Sequence, residues 1–444
     1  MTEQSAELFE KIRQQFDSTP YLNVPLDLSP QNDSKLLYAQ NLITPYYLRN
    51  QAFPVAEGRV ILDAGCGAGF KSLILAEANP SAKIVGIDLS PESVDLAKQR
   101  LQIHGFRDAE FIVASIEDLP TLGFTFDYIN CDEVLYLLPD AAKGLQAMKA
   151  VLKPNGIIRA NLHSSAKRGD YFRSQQLFKL LGLMNANPDD LEIEIVRETF
   201  ESLKNGVDLK VKVWQEAAQR GDVEEKEWIL VNYLLQGDKG YTIANLFAAL
   251  QIADLEFISM VNWCDWEILD LFKDAENLPL FWAMSLPETS IEQRLQLFEL
   301  LHPTSRLLDF WCGHPGQTRA YEPVGDWTEE KWQPVKVHLH PQLKNSQLRE
   351  DLVHSIEHHQ PFSLGGYLPG LAKNSVILES TVAATLLPLW DKPQTVTALI
   401  ERSRQIQPLN PVTLEPRTPA AILNDVMTLL IKLEVFLYVL LEAS

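Results

Sequence analysis

Two polar clusters in this 444-residue chain contain residue types that enzymes use to move protons and to hold ligands. The first lies in DYINCDEVLYLLPD (residues 127–140) and contains an amide, a thiol, two carboxylates and a phenol: Asn130, Cys131, Asp132, Glu133 and Tyr136. The second lies in RANLHSS and contains Asn161 and His163. Taken alone, the first cluster fits a metal site, an acid and base pair, or a polar loop that closes a strand. The elements that carry the clusters must decide among these alternatives.

Short runs of β-forming residues alternate with helical patterns between residues 59 and 161. RVILD and KIVGID are typical strands, and PESVDLAKQRLQIHG is a typical helix, in which Ser90 and Pro91 fit the N-terminus and Gly105 fits the end. This alternation predicts an α/β fold with a doubly wound, mostly parallel sheet. Ligands bind beyond the carboxyl ends of the strands in such a sheet, so we expect both polar clusters to face one crevice.

A glycine loop in VILDAGCGAGF (residues 60–70) is the most specific motif of the chain. Asp63 ends a predicted strand, and the glycines that follow are Gly65, Gly67 and Gly69. A second strand ends at Asp88, where a carboxylate can accept hydrogen bonds from ribose hydroxyls. The loop spacing is G-x-G-x-G rather than the G-x-G-x-x-G of pyrophosphate sites, and an acid stands beside it. These features favour an adenosine with a cationic tail over a dinucleotide.

These motifs resemble those of the class I S-adenosylmethionine-dependent methyltransferases, with LDAGCGAGF matching the first motif and Asp88 the second acidic position. The segment ASIEDLP resembles the family segment GDAEDLP, whose Asp contacts the adenine amino group. Ser115 stands at that place here, so the resemblance implies an adenine contact from Ser115, from the backbone of Ile116 or from Glu117. VLYLLPD and LKPNGIIRA match the family's fourth strand and the helix and strand after it.

The resemblance implies S-adenosylmethionine as the cofactor. The residues expected to bind it are Tyr21, Asp63, Gly65, Cys66, Gly67, Gly69, Asp88, Leu89, Ser115, Ile116, Glu117 and Asn130. Cys66 is interpreted as a small loop residue and not as a nucleophile, because methyl transfer needs no covalent enzyme intermediate.

The remaining polar side chains are expected on the side of the methyl acceptor: Asp132, Glu133, Tyr136, Asn161 and His163. Methyl transfer is an in-line displacement, so these groups would orient the acceptor and receive its proton. Two alternatives remain at this stage. Glu133 also fits a cap of the next helix, and His163 also fits a loop histidine without a catalytic role.

The pattern along the chain predicts five segments. They are an N-terminal arm or lid (1–50), the cofactor-binding core (51–165), a helical insertion (166–240), the remainder of the sheet (241–315) and a separate C-terminal accessory domain (316–444). LEFISMVNW and RLLDFWCG are expected to complete the sheet at its far edge. The apolar DVMTLLIKLEVFLYVLL is interpreted as a buried C-terminal helix, because Lys432 and Glu434 interrupt it before the length of a membrane span.

Composition excludes several classes of function. The formal net charge of −20 argues against binding of nucleic acid or of anionic membranes. The four cysteines form no C-x-x-C pair and the later histidines have irregular spacing, so we predict neither a disulfide framework nor a metal site. The N-terminus lacks the apolar region of a secretory signal, and the expected location is the cytoplasm.

Two further resemblances concern the acceptor. FDSTPYLNVPLDLSP (residues 16–30) is similar to the segment before the core of some protein methyltransferases, including bacterial enzymes that methylate protein lysines, and this implies that Tyr21 belongs to a lid. The whole-chain pattern resembles large methyltransferases of photosynthetic bacteria, one class of which methylates an asparagine amide in phycobiliprotein β subunits. The expected function is therefore methylation of a protein side-chain nitrogen. The alternatives are a small-molecule methyltransferase for a pigment, quinone or lipid, and a cofactor-binding scaffold without activity.

Overall fold

A seven-stranded sheet lies at the centre of the computed structural model, which describes residues 10–15, 24–54, 57–217, 220, 222–318, 321–367 and 376–443. Its strands are β1 Val60–Ala64, β2 Lys83–Asp88, β3 Glu110–Val113, β4 Phe126–Cys131, β5 Leu152–His163, β6 Glu256–Met260 and β7 Leu307–Gly313. The strand order is β3-β2-β1-β4-β5-β7-β6, and β7 runs antiparallel to both of its neighbours. The predicted doubly wound, mostly parallel sheet is confirmed, with LEFISMVNW and RLLDFWCG at its far edge.

Helices cover both faces of this sheet. Before the insertion these helices are α1 Ser34–Tyr38, α2 Ile43–Asn50, α3 Phe70–Ala78, α4 Pro91–Ile103 and α5 Ala141–Ala150. One apolar cluster joins α3 and α4 to one face, through Leu73 and Leu101, and another joins α5 to the opposite face, through Leu145. The strand order reverses between β1 and β4, which places a crevice at their carboxyl ends.

Helix α4 shows how local sequence sets these elements. The Ser90 hydroxyl accepts a hydrogen bond from the backbone of Ser93, and Pro91 occupies the first helical position. Val94, Ala97 and Leu101 are buried on one face, as their spacing predicts. The helix ends at Ile103, and Gly105 follows with a left-handed backbone, φ 88°.

Four helices follow β5 and form the insertion: α6 Ser165–Leu180, α7 Asp190–Ser202, α8 Asp208–Ala217 and α9 Asp222–Asn232. They bury an aromatic core of their own, in which the rings of Phe200 and Trp214 stack 4.9 Å apart. Because α6 begins directly after the last residue of β5, the insertion stands over the carboxyl edge of the sheet. The chain then returns through α10 Ile243–Ala253, α11 Leu280–Ser285 and α12 Ile291–Leu301.

The C-terminal part folds around a separate apolar core that includes Trp332 and Trp390. Its strands are β8 Lys336–Leu339, β9 Phe362–Ser363, β10 Ile377–Leu378, β11 Gln394–Thr395 and β12 Val439–Glu442. Its helices are α13 Glu329–Trp332, α14 Ser346–Glu357, α15 Ser380–Leu386, α16 Val396–Ile406 and α17 Pro419–Glu434. The strands β11, β8 and β12 form an antiparallel sheet in that order.

The prediction of a helix through the last apolar segment is wrong for its second half. Helix α17 ends at Glu434, and Leu437 then adopts a left-handed backbone that turns the chain back. Residues 439–442 pair with β8 as a strand. Val439, Leu440 and Leu441 are buried on both faces of this strand, so the continuous apolar run reflects a buried strand.

The described part of the N-terminal segment is a connection between the sheet and the C-terminal part. The Tyr38 hydroxyl donates to the backbone of Phe436, and the Thr44 hydroxyl lies 3.0 Å from Nε2 of the buried His340. On the sheet side, Arg49 donates to the carbonyl of Gly156 over 3.2 Å. Residues 34–50 are therefore packed against both the sheet and the C-terminal part.

Candidate active site

A cavity of about 800 Å³ opens at the carboxyl ends of β1, β2, β4 and β5. It brings together many of the residues that the sequence singled out: Gly65, Cys66, Gly67, Asp88, Leu89, Ser115, Ile116, Asp132, Glu133, Tyr136 and His163. The predicted site residues that do not line it are Asp63, Gly69, Glu117, Asn130 and Asn161. Tyr21 lies outside the described residues. The size of the cavity fits a small-molecule site, and both polar clusters contribute residues to it, as expected.

Each glycine of the loop has a left-handed backbone, and the space around the missing Cβ differs among the three positions. A Cβ on Gly65 would lie 2.4 Å from the side chain of Val134, and one on Gly69 would lie 2.7 Å from the backbone of Ala97 in α4. A Cβ on Gly67 would meet no atom within 4 Å, because this residue faces the cavity. Gly65 and Gly69 thus let the chain pack closely, while Gly67 leaves the open space that a ligand backbone contact needs.

Asp88 stabilises this loop from the end of β2. One carboxylate oxygen accepts a hydrogen bond from the backbone of Gly67 over 2.9 Å, and the other accepts one from the backbone of Ser90 over 3.0 Å. Each oxygen has a further lone pair. The geometry therefore suits a carboxylate that both shapes the loop and accepts hydrogen bonds from two vicinal hydroxyls of a ligand.

Ser115 has a structural role that the sequence did not indicate. Its hydroxyl caps the short helix Ile116–Thr121 by accepting a hydrogen bond from the backbone of Glu117. Ser115 and Ile116 still line the cavity, but Glu117 does not. The structure thus leaves Ser115 and Ile116 as cavity contacts and removes Glu117 from the set.

Asp63 and Asn130 lie behind the cavity wall, so the predicted side-chain contacts with cofactor are corrected. The Asp63 carboxylate accepts hydrogen bonds from the Ser72 hydroxyl over 2.6 Å and from the Asn130 amide over 2.9 Å. Burial raises the pKa of Asp63 to about 6, although these two hydrogen bonds lower it. Both residues brace β1 against β4 and thereby fix the start of the glycine loop.

Asp132 lines the cavity as an ionised carboxylate held by two cations. Lys71 lies 2.7 Å from one of its oxygens, and the guanidinium of Arg159 lies 3.7 Å away. Burial alone would raise the pKa of Asp132, but the charges of Arg159 and Lys71 hold it well below its usual range. Asn161 donates to the other oxygen over 2.6 Å. Asp132 is therefore a hydrogen-bond acceptor and a weak base, and Asn161 positions it from behind the wall.

His163 forms a dyad with Asp238. Its Nδ1 lies 2.7 Å from Oδ1 of Asp238, and the other carboxylate oxygen, Oδ2, accepts hydrogen bonds from Arg168 and Gln175. Burial lowers the pKa of His163 below its ordinary value, although the Asp238 carboxylate raises it. A neutral imidazole that donates from Nδ1 presents a lone pair on Nε2. This arrangement suits a general base, and the same contacts also fit a hydrogen-bonded histidine without a catalytic role.

Glu133 connects this dyad to the opposite wall. Its backbone is left-handed, with φ 65°, and its carboxylate accepts hydrogen bonds from Arg306 and from the Tyr136 hydroxyl. The Tyr136 ring stacks on the imidazole of His163 at 3.7 Å. The next helix, α5, is capped by Asp140, so the interpretation of Glu133 as a helix cap is wrong.

Five charged residues of the site escaped the sequence analysis: Lys71, Arg159, Asp238, Arg306 and Asp309. Lys71 stands just after the glycine loop, so the sequence could have identified it as a residue near the site. Arg159 and Asp309 come from β5 and β7, Arg306 directly precedes β7, and Asp238 follows the helical insertion. Arg159 donates to both carboxylate oxygens of Asp309 across the strand pair, 150 positions apart.

The described residues also bear on metal binding, membrane spans and thiol chemistry. Within the described ranges, no group of three His, Cys, Asp or Glu side chains has the arrangement of a metal site. No helix in the described part of the chain is long and apolar enough to cross a membrane. Burial raises the pKa of the Cys66, Cys131 and Cys312 thiols, which argues against thiolate chemistry at these positions.

Comparisons with known proteins agree with this geometry. Residues 56–244 match the family model described as a methyltransferase domain, so the predicted methyltransferase domain is confirmed. A Synechococcus sp. protein of uncharacterised function is 29% identical over 61% of this chain and 62% of its own length. A ubiquinone biosynthesis O-methyltransferase of Haemophilus ducreyi is 32% identical over 29% of this chain and 55% of its own length. The chain thus spans less than two thirds of these curated relatives.

A solved structure shares the fold over most of the chain. PKMT2 from Rickettsia typhi, in complex with AdoHcy, superposes with a TM-score of 0.62 at 18% identity. The alignment covers 92% of this chain and 76% of that chain, so it extends through the C-terminal part. The shared fold is that of the class I, Rossmann-like methyltransferases, as the sequence predicted.

Proposed function

We propose that this chain, with its methyltransferase domain in residues 56–244, transfers the methyl group of S-adenosylmethionine to a side-chain nitrogen of another protein. One observation carries the proposal. The imidazole of His163, held by Asp238, faces the same cavity as the glycine loop. A proton acceptor and a nucleotide-binding loop in one cavity are the two parts that methylation of an N–H group requires.

The residues of the cavity fit the cofactor. Asp88 would accept hydrogen bonds from the ribose hydroxyls, Gly67 leaves space beside the loop, and Ser115 and Ile116 line the adenine end. Bound S-adenosylmethionine supplies an electrophilic methyl group on a sulfonium. The AdoHcy complex of PKMT2, a chain with this fold, supports the same class of ligand here.

The acceptor side is built for a nitrogen that must lose a proton. His163 would take this proton at Nε2, while Asp238 holds the ring and stabilises the charged imidazolium. The ionised Asp132 lines the same wall and can accept a hydrogen bond from an N–H of the acceptor. The stacked Tyr136 ring limits the orientations of the imidazole. Such positioning is the main contribution of the protein to a displacement reaction.

The size of the chain favours a protein acceptor. The C-terminal part has its own core and is anchored through Tyr38 and Tyr47 of the N-terminal segment, so it presents a fixed surface beside the domain. PKMT2 has this part of the fold as well. The resemblance to methyltransferases of photosynthetic bacteria singles out an asparagine amide of a phycobiliprotein β subunit. A protein lysine is the second acceptor nitrogen to test.

A small aromatic acceptor is the competing proposal, and one observation favours it. The rings of Tyr136, Tyr171 and Trp228 line the outer half of the cavity and would pack on a flat molecule. The relatives named as ubiquinone biosynthesis O-methyltransferases match 29% of this chain. A phenol would also give its proton to His163.

The test is transfer of isotope from methyl-labelled S-adenosylmethionine. Three acceptors are compared: unmethylated phycobiliprotein β subunit, a lysine-rich protein, and a mixture of phenols and quinols. Label in a peptide, located by mass spectrometry to an asparagine or lysine side chain, supports the proposal. Label confined to small molecules would overturn it in favour of the competing one.

A matched variant separates chemistry from binding. His163→Gln keeps a polar side chain at the position but removes the base, so methylation should fall by about 10²-fold or more, while cofactor binding stays the same. If the protein binds the cofactor but labels nothing in any acceptor or in a cell extract, it is a cofactor-binding scaffold and the proposed activity is wrong.

A further inference from the structure

The charge of the cavity is opposite to that of the chain. The whole chain has 39 Lys and Arg against 59 Asp and Glu. Among the described residues that line the cavity, seven are Lys or Arg and five are Asp or Glu. A basic cavity in an acidic protein concentrates an anionic ligand at one place while the rest of the surface repels it.

Two carboxylates that line the acceptor side, Glu133 and Asp170, are already paired, whereas Glu227 has no described cation within ion-pairing distance. Glu133 binds Arg306, and Asp170 lies 2.5 Å from Arg173 and 3.6 Å from Lys212. Lys167, in contrast, has no described carboxylate within ion-pairing distance, and its side chain is exposed at the cavity. The ammonium group of Lys167 is therefore available to an anionic group of a ligand.

Lys167 and Arg306 are both hydrogen-bonded to the residue that follows the base. The backbone of Lys167 donates to the hydroxyl of Ser164, the residue after His163, and the backbone of Ser164 donates to the carbonyl of Arg306 over 2.9 Å. The Arg306 guanidinium lies 3.4 Å from Nε2 of His163. Arg306 is nearly half exposed, so it can exchange one carboxylate partner for another.

We propose that the acceptor is an acidic polypeptide segment and that Lys167 and Arg306 bind a carboxylate next to the methylated side chain. This inference rests on the proposed function and names its substrate class. Arg306 is suited to the role because a guanidinium binds a carboxylate through two parallel hydrogen bonds. An incoming carboxylate competes with Glu133 for Arg306 and draws the guanidinium away from Nε2. Binding of the correct segment thereby exposes the base.

The experiment measures binding of a defined anion to the protein saturated with S-adenosylhomocysteine. The probes are an oligoglutamate peptide, an oligolysine peptide and free glutamate, and the method is titration calorimetry at low salt. Oligoglutamate should bind and oligolysine should not, although the net charge of −20 predicts the reverse for non-specific contacts. The variants are Lys167→Met and, as a matched control, Lys179→Met, an exposed lysine of the same helix outside the cavity.

Lys167→Met should weaken oligoglutamate binding by about tenfold, and Lys179→Met should leave it unchanged. Equal binding by wild type and Lys167→Met would overturn the proposal. So would equal affinity for free glutamate and oligoglutamate, since the site would then select a small carboxylic acid. Titration of S-adenosylhomocysteine alone into each sample tests the proposed function separately. Binding of S-adenosylhomocysteine without binding of oligoglutamate would overturn this inference alone, whereas failure of S-adenosylhomocysteine to bind would overturn the proposed function.

Discussion

The imidazole Nδ1 of His163 lies 2.7 Å from a carboxylate oxygen of Asp238, although 75 positions separate the two residues in the chain. His163 ends β5, whereas Asp238 stands in the turn that follows the helical insertion. The segment that follows the insertion therefore completes the His163–Asp238 dyad. A base that is assembled from two segments depends on correct docking of the insertion on the sheet.

The first prediction concerns this dyad. Asp238→Asn should lower kcat by about 10²-fold, because an amide neither fixes the required tautomer nor stabilises the imidazolium. The affinity for S-adenosylmethionine should change by less than about twofold, because Asp238 is not expected to contact the cofactor. Steady-state kinetics and calorimetry check both values, with the surface variant Asp208→Asn as the control. Parallel loss of kcat and of cofactor affinity would show that Asp238 supports the fold of the cavity instead.

The second prediction concerns pH. Because burial lowers the pKa of His163 below its ordinary value of 6.5, the imidazole is neutral and competent at neutral pH. Protonation removes the base, so kcat/KM should be constant near neutral pH and fall as the pH drops through this lowered pKa. The acidic limb should disappear in His163→Gln, whose residual rate has no imidazole to titrate. A limb that persists in this variant assigns the titration to another group.

The third prediction concerns Asp88. Asp88→Ala removes the acceptor of two backbone hydrogen bonds in the loop and the group expected to accept from two ribose hydroxyls. The dissociation constant for S-adenosylmethionine should rise by about 10²-fold, since hydrogen bonds to a charged group contribute about 1.5–3 kcal/mol each. At saturating cofactor, kcat should recover most of its wild-type value. Asp95→Ala, in an exposed part of α4, is the matched control.

The fourth prediction separates two glycines of one loop. Gly69→Ala would push a methyl group against the backbone of Ala97, so the free energy of unfolding should fall by about 2–4 kcal/mol. Gly67→Ala meets no neighbouring atom and should cost only about 1–2 kcal/mol of backbone strain. It should nevertheless weaken cofactor binding more than Gly69→Ala does, because its methyl group enters the cavity. Urea denaturation of both variants gives the loss of unfolding free energy, and calorimetry gives the loss of cofactor affinity.

The fifth prediction concerns the buried guanidinium between β5 and β7. Arg159→Met leaves the carboxylates of Asp132 and Asp309 buried without their shared cation, which should lower the free energy of unfolding by about 3–5 kcal/mol at neutral pH. The double variant Arg159→Met with Asp309→Leu should recover part of this loss, because one unpaired charge is gone. No recovery in urea denaturation would mean that packing, and not charge, sets the cost.

Local sequence determined the cofactor half of this protein. The strand, the glycine loop and Asp88 lie within about thirty residues, and their roles follow from backbone conformation and hydrogen bonding over a short stretch of chain. The same holds for α4, whose cap and apolar spacing fix its ends and its buried face. The alternation of strands and helices also predicted a doubly wound, mostly parallel sheet, because parallel strands are joined by helical crossovers.

Tertiary structure decided which polar groups meet and which face the ligand. Asp63 and Asn130 look like site residues in sequence, but β1 and β4 turn both side chains into the wall behind the cavity. Arg159, Arg306 and Asp238 carry no local motif, because charges pair by distance in space and not by spacing along the chain. The sequence did not predict the end of α17 or the strand Val439–Glu442. A continuous apolar run fits a buried helix and a buried strand equally well, and pairing with β8 decides between them.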